Sequence, residues 1–231
     1  YQRRKVAMDN SCYTFYIPKR VFYPHSSQQF EVAAHTFSLR KQKRTALMGP
    51  SGVGKTTLMR YMAGLLTQTP SPHSHHIAFV GPEDHLLPWL TLDKNIALSD
   101  VLQKKKMNTR KVATMLDLVN LRHSHRLFPH QLSTGMRKRV LLARALYMER
   151  PILFLDEPFA NLDPVTKGDI LKEIKTFLHE KTLLFITHSR DEAETFADHI
   201  YTIEGRPAFL QPLGRVMKAA SREKKDTYDV P

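Results

Sequence analysis

An α/β fold is what this sequence predicts: a mostly parallel sheet faced by helices, with short strands ahead of it and a helical segment inserted in its middle. Three observations predict it. Gly49-Pro50-Ser51-Gly52-Val53-Gly54-Lys55-Thr56-Thr57 is a phosphate-binding loop with every required position filled, set between an apolar run and a helix-spaced run. Residues 152–155 and 183–186 are wholly apolar and of strand length, as strands buried on both faces of a parallel sheet are. Between the loop and the first of those runs, residues 92–148 follow a helical pattern.

The elements follow in order. Residues 11–17, a patch at 21–23 and residues 30–39 read as short strands, with Pro18, Pro24 and the polar Ser26-Ser27-Gln28-Gln29 marking turns. Thr45-Ala46-Leu47-Met48 is the buried strand entering the loop, and residues 58–66 have the spacing of the helix leaving it. Pro70-Ser71-Pro72-His73-Ser74-His75-His76 is a polar loop. Its imidazoles are metal-ligand types, but no fourth ligand is evident, so the tract reads as solvated. Residues 77–80 form a further strand closed by Gly81-Pro82. Residues 110–119 put Val112, Met115, Leu116 and Val119 on one helical stripe, and residues 137–148 repeat the pattern with Val140, Leu141, Ala145 and Met148. Residues 168–178 are the crossover helix between the two apolar strands.

Composition bounds the partners. The chain has 231 residues, 42% of them hydrophobic, enough for one large domain with a sizeable core. Cys12 is the only cysteine, so no internal disulfide framework is possible. No apolar run approaches the roughly 20 residues of a membrane span, and no signal-peptide stretch follows the basic start. A cytoplasmic protein is expected. The net charge of +13 invites nucleic acid or an anionic membrane surface. No nucleic-acid-binding module accompanies the scattered lysines and arginines, so no nucleic-acid partner is expected.

The chemistry lies in two segments. In the loop, a Cβ at Gly52 or Gly54 is expected to block close approach of the backbone to phosphate oxygens. Backbone N–H groups and the new helix's positive end face the anion. Lys55 reaches the β- and γ-phosphates, and the Thr56 hydroxyl ligates Mg²⁺. In the second segment, the apolar strand 152–155 ends in Asp156-Glu157, placing two carboxylates at the sheet edge where α/β folds bind ligands. Asp156 is expected to hold Mg²⁺, and Glu157 to act as general base on the attacking water.

Further motifs carry a resemblance. Leu132-Ser133-Thr134-Gly135-Met136-Arg137-Lys138-Arg139-Val140 resembles the Leu-Ser-Gly-Gly-Gln signature of ATP-binding cassettes. Asn161-Leu162-Asp163 resembles their D-loop, and Ile186-Thr187-His188-Ser189-Arg190-Asp191-Glu192-Ala193 their switch-histidine segment. With the phosphate loop these motifs stand in order over most of residues 45–205. The chain thus resembles the ATP-binding subunit of an ABC transporter. Leu86-Leu87-Pro88-Trp89 makes it similar to importers of the nitrate, sulfonate, taurine and thiamine-precursor type.

The resemblance implies a P-loop NTPase (RecA-like) core, an N-terminal antiparallel β region and an inserted helical sub-domain. As one domain over 1–231, residues 1–81 and 151–205 form the nucleotide-binding core, 82–150 the helical sub-domain and 206–231 a tail. It implies ATP and Mg²⁺ as ligands, and a head-to-tail pair of cassettes in which Ser133 and Gly135 of one chain face the γ-phosphate bound to the other. Ser133 as a helix N-cap would look the same, and both readings can hold. His188 would contact the γ-phosphate or the attacking water, and Asp163 would lie at the dimer interface. Permease subunits and an extracytoplasmic solute-binding protein are the implied partners, with this chain peripheral on the inner face of the membrane. An adenine-stacking aromatic is expected upstream of the loop. Tyr23 is the best candidate and Phe22 the next, although either serves equally as a core aromatic. Trp89 is either part of the permease-binding groove or packed inside the helical sub-domain.

The chain departs from the family pattern in two places. Pro82, followed by Glu83 and Asp84, stands where the family has a Mg²⁺-sensing glutamine. Either Glu83 substitutes for it or coupling differs. Thr134 and Met136 replace a glycine and a glutamine of the signature, and the β-branched Thr134 narrows the approach. Hydrolysis is expected to survive these changes. Two other readings are a non-transport cassette acting on nucleic acid or ribosomes, and a module that holds nucleotide without turnover.

Overall fold

Branched and aromatic residues dominate the N-terminal segments and set them as strands. β1 (Cys12–Ile17) pairs with β4 (His35–Arg40), and β2 (Arg20–Phe22) with β3 (Phe30–Val32), both antiparallel. The structure is a computed structural model and describes residues 10–22, 30–66, 71–83, 85–160, 162–205 and 207–215. Residues 30–39, read above as one strand, break at Ala33-Ala34. The first part pairs with β2 and the second with β1.

The main sheet has six strands in the order β10-β9-β5-β8-β7-β6. β5 (Arg44–Met48) lies between β8 (Thr182–Ile186) and β9 (His199–Glu204), parallel to both. β6 (Ile77–Val80) and β7 (Ile152–Asp156) continue the parallel array beyond β8. β10 (Phe209–Arg215) closes the other edge antiparallel to β9. Residues 206–231 were read as a tail, yet 209–215 belong to the sheet.

Successive side chains along the central strands enter different cores, as the two-residue period of a strand requires. Ile152 and Phe154 pack with Phe15, Phe37, Leu58 and Met59, on the side of α1 (Lys55–Met62) and the N-terminal strands. Leu153 and Leu155 pack with the helices on the other face. Leu184 and Ile186 repeat the first choice, and Leu183 and Phe185 the second. This is why both runs are apolar at every position.

The inserted segment is helical but shorter in its pieces than its periodicity suggests. It holds α2 (Leu92–Ile96), α3 (Leu98–Leu102), α4 (Thr109–Leu118) and α5 (Thr134–Tyr147). Val112, Met115 and Leu116 of α4 are buried with Val140, Leu141 and Leu146 of α5. α1 stops at Met62, earlier than residue 66, because Leu65 N–H donates to Arg60 O and Gly64 N–H to Tyr61 O, both at 2.9 Å. α6 (Pro164–Phe177) starts four residues earlier than the sequence suggested, because the Asp163 carboxylate accepts from Thr166 N–H at 2.9 Å and proline fits the first helical turn. α7 (Arg190–Phe196) follows β8. No described helix is long and apolar enough to cross a membrane.

Candidate functional site

Three strand ends converge on one edge of the sheet. β7 and β8 are parallel neighbours with Asp156 opposite Ile186, so Glu157 and the residues after Ile186 emerge side by side. Glu157 N–H donates to Ile186 O at 3.2 Å, and Thr187 N–H to Leu47 O at 3.4 Å. The loop 49–54 leaves β5 at the same edge. This is the carboxyl edge of a parallel sheet, where such folds bind ligands.

The loop's glycines are fixed by backbone and packing rather than by phosphate clearance alone. Gly52 has φ +77 and Gly54 φ +95, both in the left-handed region. A Cβ on Gly54 would sit 2.4 Å from the Phe30 ring. A Cβ on Gly52 would meet no protein atom within 4 Å. Within the protein itself, Gly52 is thus required only by its backbone conformation, whereas Gly54 also makes room for an aromatic from β3.

Lys55 opens α1 and is only 5% exposed. Its ammonium donates to Gly49 O and Pro50 O, each at 2.8 Å. Burial lowers its pKa, against the raising effect of Glu157 and Asp156. Thr56 Oγ1 donates to Asp156 Oδ2 at 2.6 Å. Asp156 is 3% exposed, and burial raises its pKa; the Thr56 hydrogen bond opposes the rise and the neighbouring Glu157 adds to it. His188 Nε2 lies 3.1 Å from Glu157 Oε1, both side chains part-exposed. Glu157 itself has φ +47, uncommon for a residue with a side chain.

The structure thus brings Lys55, Thr56, Asp156, Glu157 and His188 together beside the loop. It does not bring in the signature. Ser133 caps α5, its Oγ accepting from Met136 N–H at 3.2 Å, and Gly135 lies in the first turn. Among the described residues no hydrogen bond or ion pair joins Ser133 or Gly135 to residues 49–57. Ser133 and Thr134 are exposed. Tyr23, Asp84 and Asn161 lie outside the described residues. Phe22 is buried, stacking on Phe30 with ring centres 5.8 Å apart, so it serves the core.

Several residues around the site have contacts that their motifs did not announce. Lys138 of α5 reaches the Glu157 carbonyl at 3.5 Å. Glu192 binds the Thr187 hydroxyl and Lys167 of α6, tying the first turns of α6 and α7 to the residue before His188. Glu83 pairs with Arg60 of α1, which lowers its pKa, chiefly through that hydrogen bond. Glu83, one of the two readings for the missing glutamine, is therefore engaged with Arg60. Trp89 is 69% exposed rather than packed in the helical segment. Its loop is held by buried Asn95, which accepts from Leu87 N–H at 2.8 Å and donates to Leu90 O at 2.9 Å and Leu87 O at 3.1 Å. In the histidine loop His75 and His76 are exposed, while the half-buried His73 makes edge-on ring contacts with Tyr13 and Phe15, each at 5.3 Å. No metal-binding group of histidines, cysteines and acids occurs among the described residues.

Comparison with known proteins shows the family. The family model described as "ABC transporter" matches residues 32–160. The aliphatic sulfonates import ATP-binding protein SsuB of Pseudomonas savastanoi pv. phaseolicola is 35% identical over 195 residues, covering 82% of this chain and 81% of that one. The protein of the same name in Bacillus subtilis is 29% identical over 223 residues, covering 91% and 87%. Among solved structures, a dimeric ATP-binding cassette in a post-hydrolysis state with ADP and Pi superposes with a TM-score of 0.70 at 23% identity, covering 80% of this chain and 90% of that one. An ATP binding subunit of an ABC transporter gives 0.71 at 21% identity, covering 86% and 89%. The loop, the carboxylates after β7, the histidine after β8 and the family match together place this chain in the ABC transporter family.

Proposed function

We propose that the chain is the ATP-hydrolysing subunit of an importer, acting in the cytoplasm on the inner face of the membrane and driving a separate permease. The observation that carries this is the meeting of Lys55, Thr56, Asp156, Glu157 and His188 at one sheet edge. The SsuB relatives support the importer reading and make an aliphatic sulfonate the first cargo to test. The functional unit is a pair of cassettes, with permease subunits and an extracytoplasmic solute-binding protein completing the system. The nucleotide-binding core spans 1–81 and 151–205, and residues 82–150 form the helical sub-domain.

Each residue has a role its chemistry suits. Residues 49–57 wrap the phosphates with backbone N–H groups. The Lys55 ammonium has three donors and gives two to loop carbonyls, leaving one for a phosphate oxygen. Thr56 and Asp156 fit a Mg²⁺ ion, because a buried carboxylate 2.6 Å from a hydroxyl is a hard-oxygen pair in need of a cation. Bound there, Mg²⁺ supplies charge neutralisation for the β- and γ-phosphates. Glu157 takes a proton from the attacking water, and His188 at 3.1 Å orients that carboxylate and reaches the γ-phosphate. Ser133 and Gly135 complete the partner cassette's site, which fits the exposure of Ser133 and the lack of ties from either to their own loop among the described residues. Pro82 with an engaged Glu83 favours a coupling route different from the glutamine's. The Trp89 loop offers the permease a rigid aromatic contact.

Steady-state hydrolysis of ATP with Mg²⁺ across protein concentrations tests the reading. Turnover should rise faster than linearly with concentration. Lys55→Ala should lose it by roughly a hundredfold or more. Glu157→Gln should lose turnover by about 10²–10⁴-fold and keep ATP binding. Equal turnover in wild type and Glu157→Gln would overturn the assignment of the base.

A further inference from the structure

Away from the nucleotide site, the turn between α3 and α4 combines features that rarely meet on a solvated surface. α3 buries none of its residues. Val101 and Leu102 are exposed, Leu102 at 72%. Lys104, Lys105 and Lys106 follow at once, and all are exposed. Lys105 also borders a cavity of about 320 Å³ that runs between α3, α4 and the end of α5. Asn108, Lys111, Tyr147 and Arg150 line its other walls.

Charge in this cavity is unbalanced toward the positive. Its one carboxylate, Asp100, accepts the Tyr147 hydroxyl. Lys111 crosses the Tyr147 ring at 4.5 Å and pairs at 2.8 Å with Glu149, which is on the exposed side. Arg150 donates to His75 O at 2.6 Å, and a guanidinium has further N–H donors to offer. Lys105 makes no ion pair among the described residues. An anion is what such a cavity can hold. A soluble anion would use the cavity and leave Val101 and Leu102 without a role. Nucleic acid would use the lysines and leave the same two residues wet.

We propose that this surface rests on an anionic phospholipid bilayer. The cavity takes a phosphate headgroup between Lys105, Lys111 and Arg150. Lys104 and Lys106 meet neighbouring headgroups, and Val101 and Leu102 enter the boundary with the acyl chains. The chain would then hold the membrane directly, besides any hold through a permease.

Flotation of the full chain with phosphatidylcholine vesicles, with and without phosphatidylglycerol, tests this. Wild type should float only with phosphatidylglycerol and be released by salt. The triple variant Lys104→Ser/Lys105→Ser/Lys106→Ser should partition roughly a hundredfold more weakly, at about fivefold per lysine. Leu102→Ser should weaken binding without changing its salt dependence. A control triple of equal charge change on exposed lysines elsewhere, Lys43→Ser/Lys172→Ser/Lys175→Ser, should stay within about threefold of wild type. ATP binding should be the same in all four proteins. Equal losses in the two triples would reduce the effect to net charge and overturn the site. So would absence of flotation with thermal stabilisation by inorganic phosphate alone, which would make the cavity a soluble-anion site. Flotation only with vesicles carrying a membrane protein would assign the turn to a protein partner instead.

Discussion

Gly52 and Gly54 stand two residues apart in one loop, and alanine at each should fail for a different reason. Gly52→Ala meets open space and carries only the left-handed backbone penalty, about 1–2 kcal/mol. Gly54→Ala adds a methyl 2.4 Å from the Phe30 ring, so its loss should reach about 2–4 kcal/mol. Urea melts of the two variants check the order. The loop was legible as a motif, but Phe30 was not legible as its neighbour, because the contact joins residues far apart in the chain. Asp156 allows a test of sign. Burial raises its pKa above the ordinary 3.8, so the stability of its protonated form is whole below that value and lost as pH rises through the folded value. Asp156→Asn removes this titration. Without nucleotide the variant should melt at higher urea than wild type at pH 7, and the gap should close toward pH 4. Its turnover should fall by roughly a hundredfold.

At the scale of elements, α5 ties packing to function. Ser133 caps the helix, and it is also the residue proposed to face the partner's phosphate. Ser133→Ala should cost about 1 kcal/mol of stability. Ser133→Asp should keep the cap and so the stability, but set a negative charge toward the γ-phosphate and abolish turnover. Thermal melts beside hydrolysis rates separate the two roles; turnover retained by the aspartate variant would leave Ser133 a cap only. Elements differed in how readable they were. β6, β7 and β8 carry the wholly apolar runs 77–80, 152–155 and 183–186, and that pattern has few alternatives. β9 alternates apolar and polar residues, His199-Ile200-Tyr201-Thr202-Ile203-Glu204, and gave no comparable run. β10 contains Pro212, which argues against a strand, yet the position is an edge with a bulge between Pro212 and Gly214, where proline is tolerated. The break at Ala33-Ala34 was equally silent, since it is set by which partner each half pairs with.

For the whole molecule, two surfaces extend beyond hydrolysis. Trp89→Ala should leave the isolated chain's ATP turnover within about twofold and weaken permease association by about 2 kcal/mol or more, read by co-purification and by transport in vesicles. A parallel drop in intrinsic turnover would mean that Trp89 supports the fold instead. The sheet order has a consequence for how the molecule is made. β5, which launches the phosphate loop, pairs only with β8 and β9, and β8 begins at Thr182. A ribosome finishes the loop early and its flanking strands late. Until those strands emerge, β5 has both hydrogen-bonding edges open, although α1 and the N-terminal strands can already meet one of its faces. Such long-range pairing is slow, and the waiting chain invites chaperones or aggregation. Nascent chains halted before residue 182 should therefore bind no nucleotide, although they carry the whole phosphate loop.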